Sequence, residues 1–113
     1  MGREAKILRH WQKRLRITDW HIELRVKRWH EMSGDLGACH VSPELRHAVI
    51  DVLAPGDTPD GYLMDIEHTI VHELLHVVLD PVAPDGDDTR GVLFEQAINT
   101  IASALLASEC TTK

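Results

Sequence analysis

The stretch His72-Glu73-Leu74-Leu75-His76 decides how this chain is read, because it spells H-E-x-x-H. Two histidines four apart on a helix leave from one face, with Cβ atoms roughly 6 Å apart, so both imidazoles can meet one tetrahedral ion. Glu73 is offset round the helix, where its carboxylate acts on a water beside the ion rather than on the ion itself. A shuffled chain with the same 8 His would show the motif somewhere with a chance of about 4%, so composition alone does not account for it. Around it Ile66, Ile70, Val71, Leu74, Leu75 and Val78 recur at helical spacing, which predicts a helix with one buried stripe. The bland alternative is a surface helix that carries histidines.

Working outward, Asp80-Pro81 and Pro84-Asp85-Gly86-Asp87-Asp88 end this helix near Leu79 and form a polar connection. Val92 to Leu106 then places Phe94, Ala97, Ile98, Ile101, Ala102, Leu105 and Leu106 on one face of a second long helix, and 108–113 reads as a frayed tail. Upstream, Ala54 to Gly61 is a loop, and the motif helix begins somewhere in 58–64, with Thr58-Pro59 as cap and first position. His47–Leu53 and Leu36–Val41 read as short strands, separated by Ser42-Pro43. Trp20, Ile22, Leu24 and Val26 alternate with His21, Glu23, Arg25 and Lys27 in a further strand, followed by a turn at Glu31–Asp35. Before it, residues 4–16 form an amphipathic helix turning Leu8, Trp11 and Leu15 inward, broken at Thr18-Asp19. The expected fold is α+β: an N-terminal helix, a small, mostly antiparallel three-stranded sheet, the motif helix and a C-terminal helix, in one domain over 1–113.

The net charge of −6 hides an asymmetry: residues 1–30 hold nine of the 12 basic residues against three acids, leaving −12 on the rest. A basic face for nucleic acid or an acidic partner is one reading, and a solvated surface opposing an acidic half of the same domain is the plainer one. Cys39 and Cys110 are too few for a disulfide framework. No run approaches the roughly 18 apolar residues of a membrane helix, and the first residues form no secretory apolar stretch. A cytoplasmic protein without a membrane partner is the expectation. Cys39 beside His40 offers two soft ligands at most, and a buried cysteine is the commoner outcome. Trp11, Trp20 and Trp29 could stack bases, but in a chain with one Phe and one Tyr they are expected to fill core.

A catalytic zinc takes three protein ligands and one open position. After His76 the carboxylates are Asp80, Asp85, Asp87, Asp88, Glu95 and Glu109. Asp85, Asp87 and Asp88 lie in a loop that holds a ligand poorly, whereas Glu95 sits in the first turns of a helix that must pack on the motif helix, a rigid support for a ligand. His68 is one turn before His72, but three histidines in line along a helix cannot close round one tetrahedral ion, so it is expected to line the cleft or lie exposed.

His72, Glu73 and His76, followed nineteen residues later by Glu95 on a second helix, resemble the gluzincin (thermolysin-type) metallopeptidases. The element order is similar to that of the minigluzincins and of small phage-encoded proteins of the same type. The resemblance implies a hydrolase with one zinc per chain held by His72, His76 and Glu95, with Glu73 as general base, acting on a peptide or protein substrate in the cytoplasm of a bacterial or phage-infected cell. It also implies a partner for His72 four residues after the ligand glutamate, here Asn99, and a carboxylate at the end of the active-site helix, here Asp80. Larger members steady the oxyanion with a Tyr or His from a second subdomain that this chain lacks; Tyr62, His40 and His47 are the candidates here. The peptide would add as a strand to a free sheet edge, expected at Leu36–Val41. Two other readings stay open: a zinc-stabilised, non-catalytic module whose basic N-terminal face binds nucleic acid or a partner, and a phage regulatory protease of the anti-repressor kind. Glu109 and Cys110 in the tail could also fold back on the cleft.

Overall fold

The computed structural model describes residues 2–58, 65–85 and 88–111. Among them are three helices, α1 (Arg3–Arg14), α2 (Ile66–Leu79) and α3 (Thr89–Thr111), and three strands, β1 (His21–Lys27), β2 (Gly37–Ser42) and β3 (His47–Leu53). The fold is α+β, as the patterning predicts. The sheet is mixed rather than mostly antiparallel. Its order is β1-β3-β2, with β1 parallel and β2 antiparallel to β3. Successive strands on short connections reverse direction, but β3 inserts between the first two and so runs the same way as β1. This leaves β2 on a sheet edge, where the peptide-binding edge was expected.

Alternation along β3 sorts the sheet into two faces. Ala48, Ile50 and Val52 are fully buried against the helices, and Ile22, Leu24 and Cys39 from the neighbouring strands pack on the same core. The outer face carries Asp51, buried beneath Arg25, whose Nε and Nη2 donate to its two oxygens at 2.7 and 3.2 Å. That guanidinium, with Lys27 nearby at 3.6 Å, holds the Asp51 carboxyl below its ordinary value.

α2 is the central element, touching α1, α3, β2 and β3. Asp65 caps it, accepting the N–H groups of Glu67 and His68, so the helix starts at Ile66 rather than within 58–64; Pro59 and Tyr62 lie outside the described residues. Ile66, Ile70, Val71, Leu74 and Leu75 are buried as expected. Val77 rather than Val78 completes the set, because neighbours on several sides widen the buried stripe. In α1, Leu8 and Trp11 are buried, and the Trp11 indole donates to Glu67 at 2.7 Å. Trp20 and Trp29 are only half-buried, so of the three tryptophans Trp11 alone joins the core.

α3 runs well past Leu106. Glu109 is buried in its last turns, 2.6 Å from His10 Nε2 and 3.1 Å from Arg14 Nε on α1. The expected frayed tail is therefore helical to Thr111, and Glu109 is held on α1 rather than folded over the cleft. Among the described residues no helix is long and apolar enough to cross a membrane.

Candidate metal centre

His72 and His76 stand one turn apart on α2, with ring centroids 5.1 Å apart. Packing of Ile98 and Ala102, both fully buried, sets α3 alongside and brings Glu95 over the two rings. Glu95 Oε2 lies 2.9 Å from His72 Nε2, and its Oε1 lies 2.9 Å from His76 Nε2. One ligand atom from each of the three residues falls within 4.8 Å of the others, so the group could hold a metal ion.

The electronics fit a cation. His72 Nδ1 lies 2.8 Å from Asn99 Oδ1, and an amide oxygen only accepts, so Nδ1 carries a proton, and a cation in place of the proton shared with Glu95 would meet the lone pair of Nε2. Asn99 thus stands where the resemblance implies a partner for His72. Burial, and to a smaller extent His72, lower the His76 pKa against the opposing pull of Glu95, which favours the neutral imidazole a metal requires. Two imidazole nitrogens and a carboxylate converge with no Lys or Arg side chain bonded to them among the described residues. A shared positive charge is what such a set accepts.

Glu73 is buried, 6% exposed, with Oε2 4.0 Å from His72 Nε2. Burial, reinforced by the negative charges of Glu95 and Asp35, pushes its carboxyl up to about 8. A cation among the three ligands would reverse the field of Glu95 and keep Glu73 ionised. The group is pinned by a close backbone approach: a Cβ added at Gly37 would stand 2.9 Å from Glu73 Oε2 and 2.8 Å from Thr69 Cγ2. Gly37 opens β2, and Gly37, Ala38 and Cys39 form one wall of a cleft of about 730 Å³ with the three ligands and Glu73 opposite.

His68 lines this cleft, with Nε2 3.3 Å from Ser103 Oγ. His40 and His47 do not reach it. They leave β2 and β3 on the outer face, where His40 Nε2 is 3.9 Å from Asp51 and the His47 ring stacks on His21 at 5.2 Å. Asp80 ends α2, and its carbonyl accepts the Ala83 N–H at 3.1 Å; among the described residues its carboxylate bonds neither histidine. Cys39 faces the cleft as a free thiol whose pKa is pushed up to about 12, chiefly by burial, so it stays protonated at neutral pH. Gly37 and Asp35 are functional neighbours that motif reading passes over. A glycine opening an apolar strand is the signal for the first, since it marks close backbone approach.

No family model, curated protein or solved structure matches the chain.

Proposed function

We propose that this protein is a zinc-dependent metallopeptidase that hydrolyses peptide bonds in a peptide or protein substrate. The observation that carries this is the convergence of His72, His76 and Glu95 with a buried carboxylate, Glu73, standing 4.0 Å from His72 Nε2. Two neutral imidazoles and one carboxylate with an open side are the donor set of a catalytic zinc, one ion per chain. Ligand atoms round such an ion stand roughly 3.3 Å apart at the usual bond lengths; here each imidazole is 2.9 Å from a different oxygen of Glu95, and one ligand atom from each of the three residues lies within 4.8 Å of the others, so side-chain shifts bring the set round one ion. Bound there, zinc acidifies water to a pKa of about 7 and polarises the carbonyl to be attacked.

The protein's own groups supply the rest. Asn99 holds the His72 tautomer, and burial holds His76 neutral. Glu73 Oε2 takes a proton from the attacking water and passes it to the leaving nitrogen, the general base becoming the general acid. Its apolar setting makes it a stronger base than an exposed carboxylate. Among the described residues β2 has one side unpaired, and that edge offers backbone groups to an extended peptide along the cleft wall. Among the described residues, His68 is the one imidazole lining the cleft besides the two ligands, and so the available group to steady a developing oxyanion.

A nucleic-acid module draws less support, because four of the nine basic N-terminal residues face acids: Arg25 and Lys27 share Asp51, Arg14 meets Glu109 and Arg28 meets Asp57. The free Cys39 thiol suits a reducing cytoplasm. A regulatory protease with one protein target would use the same site. The test is hydrolysis of a fluorogenic peptide library by zinc-loaded protein. Wild type is expected to cleave, and Glu73→Gln to keep its zinc and lose cleavage; a fully active Glu73→Gln, or an inert wild type, overturns the proposal.

A further inference from the structure

Four of the nine basic residues in the first thirty meet acids. The other five, Arg3, Lys6, Arg9, Lys13 and Arg16, all lie on α1 or just past its end, and among the described residues none of them forms an ion pair. Every exposed residue from Arg3 to Arg16 is Arg, Lys or His. Lys6, Arg9 and Lys13 follow at intervals of three and four, so they stand in one row along the helix, opposite the buried Leu8 and Trp11. Like charges at these intervals destabilise a helix, and a face that is merely solvated ordinarily mixes the two signs. The end of the helix adds a second, independent sign. The Arg16 N–H donates to the Lys13 carbonyl at 3.2 Å and the Ile17 N–H to that of Gln12 at 2.9 Å, the paired bonds of a Schellman stop, which set Arg16 in the left-handed region at φ 60. Glycine takes that place at least cost. Arg46, the other described non-glycine residue at positive φ, is held there by an ion pair with Asp19; Arg16 has no such partner among the described residues.

We propose that this exposed side of α1 is a docking surface for nucleic acid, gripped through its phosphates without regard to sequence. The surface is separate from the metal centre, and the inference does not rest on the peptidase reading. From Lys6 to Arg16 the row is about 15 Å long at a helical rise of 1.5 Å per residue. A duplex carries one charge per roughly 1.7 Å of its axis, so four cations over that length meet phosphates at the same time. Arg9 and Arg16 add planar forks of N–H groups that match a phosphate. The lack of any exposed apolar residue on this side decides against the other anionic partners. A protein interface is built round an apolar or aromatic centre, and a helix that lies on a membrane inserts its apolar side. Here that side is taken up by the core, with Leu8 and Trp11 buried. The net charge of −6 repels a polyanion at long range, so attachment is confined to this one face and is lost readily to salt.

The test is fluorescence anisotropy of a labelled DNA duplex of two helical turns, titrated with the full chain at a series of salt concentrations. Four phosphate contacts predict a slope of log affinity against log salt of about −3.6, a loss of about 100-fold between roughly 50 and 200 mM. Lys6→Gln combined with Lys13→Gln should halve the slope to about −1.8, with the melting temperature held or raised because like charges on one helix face are removed. Arg16→Gly separates binding from structure. It should bring the slope to about −2.7 while the melting temperature holds or rises, since glycine suits the left-handed position. A lower melting temperature with unchanged binding in Arg16→Gly would show an arginine kept for the fold alone, and overturns the proposal. Wild type that does not bind the duplex at low salt, or binding that the Lys6 and Lys13 substitutions leave unchanged, overturns it too. Tighter binding to vesicles of anionic phospholipid or to polyglutamate than to the duplex, at the same salt, would give the row to a membrane or an acidic protein and overturn its assignment to nucleic acid.

Discussion

Gly37→Ala is the substitution whose consequence is most sharply set by the geometry. The added methyl would sit 2.8 Å from Thr69 Cγ2 and 2.9 Å from Glu73 Oε2, against 3.4 Å for ordinary contact. Unless the β2 backbone, tied into the ladder with β3, moves, Thr69 Cγ2 must give by about 0.6 Å and the Glu73 carboxylate by about 0.5 Å. Displacing a catalytic group by a fraction of an ångström to one ångström costs on the order of 100-fold in rate, or about 2.7 kcal/mol in the barrier. Overpacking itself costs about 1–3 kcal/mol of stability. The assay is kcat on a cleaved peptide, with zinc content and melting temperature measured in parallel. The expected result is a fall in kcat of about 100-fold with zinc still near one per chain. Thr69→Ser added to Gly37→Ala removes Cγ2 while keeping a hydroxyl for the 3.1 Å bond to the Asp65 carbonyl, and should restore part of the loss. Wild-type kcat and wild-type melting temperature in Gly37→Ala would refute the reasoning, because the strand would then yield freely and Glu73 would not depend on its approach.

Asn99→Ala should weaken metal binding by about 10- to 100-fold, read by competition with a chromogenic chelator, because His72 loses the acceptor that fixes its tautomer; unchanged affinity would show that the ring is held by packing alone. Stability of the metal-free protein should depend on pH through Glu73. The folded chain keeps its proton until about 8, whereas the ordinary value is 4.5, so in this interval the folded state binds the extra proton and stability falls as pH rises. The lowered His76 pKa acts in the opposite sense, but below its ordinary 6.5, which leaves about 6.5 to about 8 as the window where Glu73 dominates. Chelated wild type should lose melting temperature across that window, and chelated Glu73→Gln should lose clearly less; parallel curves would remove Glu73 as the cause.

Much of the site is local in sequence, and that part was legible. His72, Glu73 and His76 stand within five residues, where helical periodicity alone fixes their relative directions. Glu95 could be picked out because a helix with an apolar face has to pack on the motif helix, and the fully buried Ile98 and Ala102 are what bring it there. The direction of β1 relative to β3 was not legible, since it follows from which strand inserts between which. Nor was the length of α3: Ser108-Glu109 reads as a polar tail until His10 and Arg14, far off in the chain, neutralise Glu109. The separation of His47 from the cleft was implicit in the alternation of His47–Leu53, because Ile50 in the core puts His47 and Asp51 on the opposite face. The role of Gly37 required the distance between a strand and a helix, which no spacing encodes.

The peptidase reading of this chain stands on a metal held by residues from two helices, and metal content measures that most directly. Wild type and Glu95→Ala, purified without chelator, reconstituted with zinc and desalted, are compared by mass spectrometry as moles of zinc per mole of chain, with circular dichroism to establish that both are folded. The account predicts close to one zinc for wild type and well below one for Glu95→Ala. Folded wild type without zinc, or equal zinc in the two proteins, would contradict it.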